Sequence, residues 1–222
     1  MNIAIDGPAG AGKSTIAKLV ADKKGFIYVD TGAMYRSIAL YVIENNINPD
    51  DEIDIKNACD NIDIKLKHKE GVQHIYLNDR DVSTDIRKEE VGNMASKVAT
   101  KKVVRDKLLN MQRDIAASND VIMDGRDIGT FVLPNAELKI YLTASVMTRA
   151  KRRFEQLAEK GESPDIDKIA EDIENRDYQD MHRDIAPLKQ ADDSILLDTS
   201  DMTIDEVINK IISLISEVKK DN

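Results

Sequence analysis

The chain predicts an α/β protein built on a parallel sheet, and three observations carry that expectation. Short apolar runs recur, helical periodicity fills the stretches between them, and a glycine-rich loop joins the first run to the first helix. The runs are Ile3 to Ile5, Ile27 to Val29, Val121 to Met123, Leu138 to Leu142 and Ile195 to Leu197. Each ends in a polar or glycine-rich turn, as buried parallel strands do. In such a sheet the residues that do chemistry lie at the carboxyl ends of strands. Asp6, Asp30 and Asp124 occupy three of those places.

The first run leads into Gly7, Pro8, Ala9, Gly10, Ala11, Gly12, Lys13, Ser14 and Thr15, which fit the spacing GxxxxGK[ST]. The pattern has a mechanism here: glycines let backbone N–H groups wrap phosphates, Lys13 reaches the terminal ones, and Ser14 holds Mg²⁺. Ile16, Leu19 and Val20 then continue as a helix whose N-terminus faces the anion. A nucleoside triphosphate is the implied ligand.

After the second run, Asp30-Thr31-Gly32-Ala33-Met34-Tyr35-Arg36 opens a helix that buries Met34, Ile38, Tyr41 and Val42. Arg36 falls off that stripe, placed either to pair a second phosphate or simply to be solvated. From Ile62 to Val82 the periodicity changes to alternation, broken at Glu70-Gly71 and Asn78-Asp79, which predicts an antiparallel excursion. The third run ends in Asp124-Gly125-Arg126-Asp127. Asp124 is placed to orient Mg²⁺ and Arg126 to neutralise a transferring phosphoryl group, while Asp127 either reads a substrate donor or caps the turn.

Ser145 to Lys160 predicts a basic helix on which Arg149, Arg152 and Arg153 share a face, and Ser163-Pro164-Asp165 starts a second helix toward His182. On the second helix Ile166, Ile169 and Ile173 continue at the same spacing into Arg176, Asp180 and Arg183. Spacing alone fits an inward polar row and a surface salt-bridge ladder equally. Finally Thr203 and Glu206 form a capping box for a helix that turns Val207, Ile208, Ile211, Ile212 and Ile215 inward.

The 222 residues carry 32 Lys and Arg against 41 Asp and Glu, a net charge of −9. That balance argues against a nucleic-acid polymer as partner. Cys59 is the single cysteine, so no internal disulfide can form and a reducing, cytoplasmic setting is expected. No run approaches the ~20 apolar residues of a membrane span, and neither secretion nor membrane insertion is expected. His68, His74 and His182 show no ligand spacing. The oligomeric state stays open, with a monomer as the default.

Taken together, IDGPAGAGKST at the start, DTGAMYR from Asp30, NMASKVA from Asn93, DGRDIGT from Asp124 and the run Arg176 to Leu188 resemble the bacterial cytidylate kinase family over nearly the whole chain. Thr31 stands where some members have Ser, and Ser14 where some have Gly. The resemblance implies a P-loop kinase core with strand order 2-3-1-4-5, an enlarged nucleoside-monophosphate-binding insert with antiparallel strands, and a helical lid. It implies a core of residues 1–30, 98–144 and 186–222, a monophosphate-binding part at 31–97 and a lid with its following helix at 145–185. The implied activity is ATP-dependent phosphorylation of CMP and dCMP with Mg²⁺. By the same resemblance Thr31, Ser96, Arg105 and Asp127 surround the cytosine, with Tyr35 in the same binding set. Arg36, Arg126 and Arg183 hold the acceptor phosphate, Arg176 and Asp180 lie near the sugar and the transferring group, and Lys13 with Arg149, Arg152 and Arg153 serves the donor. A kinase for another acceptor such as UMP stays open as an alternative. A regulatory GTP switch is a weaker one, since the chain lacks an Asn-Lys-x-Asp base-reading motif.

Overall fold

The computed structural model describes residues 1–69 and 72–221. In chain order the elements are β1 (Asn2–Asp6), α1 (Lys13–Lys24), β2 (Ile27–Asp30), α2 (Thr31–Glu44), α3 (Glu52–Asp60), β3 (Ile64–Lys69), β4 (Val72–Leu77) and β5 (Arg80–Asp81). They continue with α4 (Glu89–Val98), α5 (Lys102–Ser118), β6 (Val121–Gly125), β7 (Leu138–Thr143), α6 (Val146–Glu159), α7 (Ile166–His182), β8 (Ile195–Asp198) and α8 (Ile204–Asp221). The chain divides into two compact units, residues 1–29 with 119–222, and residues 30–118.

The first unit is built on a five-stranded sheet of order β2-β6-β1-β7-β8. Counting only its own strands, that is the expected order 2-3-1-4-5. Ile3 pairs with Ile122 on one side and with Leu138 on the other, both in parallel register. Central strands bury both faces, which is why β1 and β6 read as continuous apolar runs. Helix α8 covers this sheet with Val207, Ile208, Ile211 and Ile215, all buried, while Ile212 is partly buried. Each such side chain contributes about 1.5–3 kcal/mol. The capping box forms: Thr203 Oγ1 accepts from Glu206 N at 3.3 Å, and Glu206 Oε2 accepts from Thr203 N at 2.8 Å.

The second unit packs α2 against α4 and α3 against α5, and carries the three-stranded antiparallel sheet β3-β4-β5. The excursion therefore lies where alternation placed it, its last strand at Arg80–Asp81 and Val82 buried just beyond. The break at Glu70-Gly71 lies outside the described residues. One boundary differs from expectation: 98–118 belongs to this unit and not to the phosphate-loop part. Helix α5 buries Val104 and Leu108, and Gln112 Nε2 donates to Met34 Sδ at 3.9 Å, so its apolar face is spent on α2 and α3. The hairpin of α6 and α7, expected as a separate lid at 145–185, falls within the first unit.

Candidate active site

β1 delivers the chain into the glycine-rich loop at a point that admits no side chain. Gly7 has φ +147°, and a Cβ there would lie 1.9 Å from the Leu142 carbonyl oxygen. Gly12, at φ +89°, is the left-handed N-cap of α1 and offers no side chain to the first turn. The backbone N–H groups of that turn therefore remain available to an anion. Lys13 is buried and donates from Nζ to the Pro8 carbonyl at 2.7 Å. Burial, with the nearby Arg126 charge adding to it, pushes the ammonium down to about 7.

Across from the loop, Ser14 Oγ donates to Asp124 Oδ2 at 2.8 Å, and Tyr28 Oη donates to Asp124 Oδ1 at 3.1 Å. A hydroxyl beside one carboxylate is an oxygen-only donor pair. It fits Mg²⁺, which keeps waters and substrate phosphates as its remaining ligands. Among the described residues no three acidic, histidine or cysteine side chains converge as a metal cage.

The turn after β6 is fixed from β1. Asp6 is buried; its Oδ1 accepts from Ile128 N at 2.8 Å and its Oδ2 from Gly129 N at 2.7 Å. Burial outweighs these two bonds and raises its carboxyl to about 6. Arg126 Nε donates to Asp180 Oδ2 at 2.7 Å, and Arg183 Nη2 donates to Asp127 Oδ1 at 3.2 Å, with Arg183 Nη1 4.0 Å from Asp180 Oδ1. Burial opposes both charges of the Arg126 and Asp180 pair, yet their attraction wins: Asp180 sits below its ordinary value and Arg126 above. The polar row on α7 thus points inward, and Arg176 adds its field at Asp180.

The three arginines of α6 meet different fates. Arg149 is buried, donating from Nε to Ala144 O and from Nη1 to Ala9 O, both at 2.9 Å, and pairing with Asp177 at 2.7 Å. Arg152 is half-buried and donates to the Thr199 carbonyl at 2.8 Å. Arg153 is exposed. The common face expected of them is therefore divided: burial falls on Arg149, whose guanidinium is taken up by Ala9, Ala144 and Asp177, and fades toward Arg153. Asp177, four residues after Ile173, lies outside the row that runs through Arg176, and no sequence pattern marks it as the partner of Arg149.

In the second unit, Asp30 caps α2 by accepting from Ala33 N at 2.8 Å and pairs with Arg36 at 3.1 Å. Thr31 is buried in the first turn. Arg105, also buried, lies 5.8 Å from the Tyr35 ring centroid and donates to Ala99 O at 3.3 Å. Ser96 Oγ donates to Gly92 O at 3.4 Å. The structure thus gathers Lys13, Ser14, Asp124, Arg126, Asp127, Arg176, Asp180 and Arg183 in the first unit. Thr31, Tyr35, Arg36, Ser96 and Arg105 belong to the second.

A parallel 2-3-1-4-5 sheet with a phosphate loop after its central strand defines a P-loop kinase fold. Solved structures share it: a gluconokinase from Sinorhizobium meliloti matches with TM-score 0.51 at 10% identity, over 99% of this chain and 94% of that one. An uncharacterized protein from Eubacterium ventriosum matches with TM-score 0.56 at 13% identity, over 97% and 98%. The sequence narrows the class. The family model for cytidylate kinase matches residues 3–217. Cytidylate kinase from Lactobacillus johnsonii is 52% identical over 220 residues, covering 99% of this chain and 96% of that protein. The Fusobacterium nucleatum cytidylate kinase is 51% identical over 217 residues, covering 98% of each. The chain belongs to the cytidylate kinase family, and it is a kinase.

Proposed function

We propose that the chain transfers the γ-phosphoryl group of ATP to the 5′-phosphate of CMP and dCMP, releasing ADP with CDP or dCDP. The observation that carries this beyond family membership is the buried charge lattice of Arg126, Asp180, Arg183 and Asp127 beside the phosphate loop. An acceptor oxygen that already belongs to a phosphate needs no general base; the barrier is repulsion between two anions. As the acceptor oxygen bonds to the γ-phosphorus, the bond to the bridging oxygen breaks and the electron pair leaves with ADP.

Lys13 and the first-turn N–H groups of α1 hold the donor phosphates, with Arg152 and Arg153 as further candidates. Arg149 serves mainly by bracing the loop, because its donors are already engaged by Ala9, Ala144 and Asp177. Ser14 and Asp124 would hold Mg²⁺, which supplies charge neutralisation on the donor phosphates. Arg36, Arg126 and Arg183 take the acceptor phosphate, Arg176 and Asp180 the sugar side, and Thr31, Tyr35, Ser96, Arg105 and Asp127 the cytosine. A carboxylate at 127 accepts from the exocyclic amino group of cytosine, which uracil replaces with a carbonyl. The hairpin of α6 and α7 acts as the lid, excluding the water that would otherwise hydrolyse ATP. No helix among the described residues is long and apolar enough to cross a membrane, and we assign the enzyme to the cytoplasm.

The decisive experiment is acceptor-dependent ADP release measured over a panel of nucleoside monophosphates with ATP and Mg²⁺. Turnover with CMP and dCMP and little with UMP is the expected result. Equal turnover with UMP, or none with any monophosphate, overturns the assignment.

A further inference from the structure

We infer that Arg87, which lies beyond the antiparallel insert, is a positioning residue for the acceptor: it shares the Asp30 carboxylate with Arg36 and keeps that cluster cationic toward a phosphate. The inference rests on the assignment of Arg36 to the acceptor phosphate. Asp30 is buried, its side chain 6% exposed, and its Oδ2 receives Arg36 Nη2 at 3.1 Å and Arg87 Nη2 at 3.3 Å. Its Oδ1 accepts from Ala33 N and is 3.3 Å from the same Arg36 nitrogen. A single carboxylate thus organises the start of α2 and two guanidinium groups at once.

The charge count gives Arg87 its role. Asp30 with Arg36 alone is a neutral pair, and a phosphate dianion meets no net charge there, only the dipole of the pair. The second arginine leaves the trio at one positive charge. Arg36 also has donor capacity to spare: among the described residues its buried Nε donates to no partner. Its guanidinium folds back over the first turn of α2 because position 32 is glycine; a Cβ there would lie 3.0 Å from Arg36 Nη1. Arg87 itself belongs to a single helical turn, Asp85–Arg87, and its side chain is 59% exposed. It therefore adds charge without being part of the core, and its replacement is not expected to cost folding.

The test compares Arg87→Gln, Arg87→Lys and Arg36→Ala by steady-state kinetics with CMP and ATP varied separately, together with thermal unfolding. Arg87→Gln is expected to raise the KM for CMP roughly 3- to 10-fold, with kcat, the KM for ATP and Tm essentially unchanged. Arg87→Lys restores most of the loss by restoring the charge, and raising salt narrows the gap between the Gln variant and the parent. A KM for CMP that Arg87→Gln does not change, while Arg36→Ala raises it, overturns the role of Arg87 and leaves the acceptor assignment standing. A KM for CMP that neither variant changes overturns the assignment of Arg36 as well. Parallel rises in both KM values with a lower Tm overturn the positioning role in favour of a structural one.

Discussion

Arg183 Nη2 stands 3.2 Å from Asp127 Oδ1, with both side chains only 7% exposed. The residue assigned to the acceptor phosphate and the residue assigned to the base are thus partners of one another. Breaking one side of a buried pair is costly because it leaves the other charge uncompensated. Arg183→Ala is accordingly expected to lower unfolding stability by about 3 kcal/mol. Asp127→Asn in the same chain should recover a substantial part of that loss. A double-mutant cycle in urea reads the coupling directly, and a coupling near zero contradicts the pair.

The proposed assignment of Asp127 to the base carries its own test. A charge-assisted hydrogen bond is worth about 1.5–3 kcal/mol, so Asp127→Ala should reduce kcat/KM for CMP roughly 10- to 100-fold. The value for UMP should hold or rise, because the carboxylate repels the uracil carbonyl. Equal losses with both substrates would show that Asp127 does not read the base.

Lys13 supplies a proton-linked signature. Burial, helped by Arg126, sets its ammonium near 7 in the free protein, while bound triphosphate charge favours the protonated form. Donor binding above pH 7 should therefore take up protons. Calorimetric titration of the enzyme with ATP at pH 8, in two buffers of different ionisation enthalpy, should show uptake approaching one proton, falling away at pH 6. Lys13→Met should abolish both the uptake and the phosphoryl transfer. Unchanged turnover in that variant would remove Lys13 from the mechanism.

Asp6 bears on stability with the opposite sign from an ordinary acidic residue. Its carboxyl is raised from 3.8 to about 6 in the folded chain. Between those values the native state holds a proton that the unfolded chain has lost. Its contribution is therefore full below about pH 4 and disappears as pH rises through 6, a change on the order of 3 kcal/mol. Stability of Asp6→Asn, followed by denaturant midpoint against pH, should lack that descending component. Parallel curves for the variant and the parent would contradict it.

The parts of the molecule legible in the sequence are those encoded locally. Strand-length apolar runs, the capping box at Thr203 and the Asp165 start of α7 each depend on neighbours a few residues apart, and each lies where the pattern placed it. The phosphate loop belongs to the same group. What local pattern could not supply were partners distant in the chain. Asp30 and Arg87 are separated by 57 residues, Arg126 and Asp180 by 54. Spacing aligned Arg176, Asp180 and Arg183 but left open whether they face inward, and it named none of the groups they meet. It also put Arg149 with Arg152 and Arg153, since periodicity assigns a side chain to a face and cannot tell which turn of that face is buried by a loop 140 residues away. The place of helix α5 in the second unit is not legible locally for a related reason: an amphipathic helix shows that it has a partner without naming it.

The second unit is one uninterrupted segment, Asp30–Ser118, and the strands flanking it are held side by side. Ile27 N donates to Asp120 O at 2.9 Å, and β2 is the immediate neighbour of β6. A segment that departs and returns at adjacent points can be exchanged without rethreading the sheet that bears the phosphate loop. Insertions or deletions within that segment can therefore leave the parallel order β2-β6-β1-β7-β8 undisturbed.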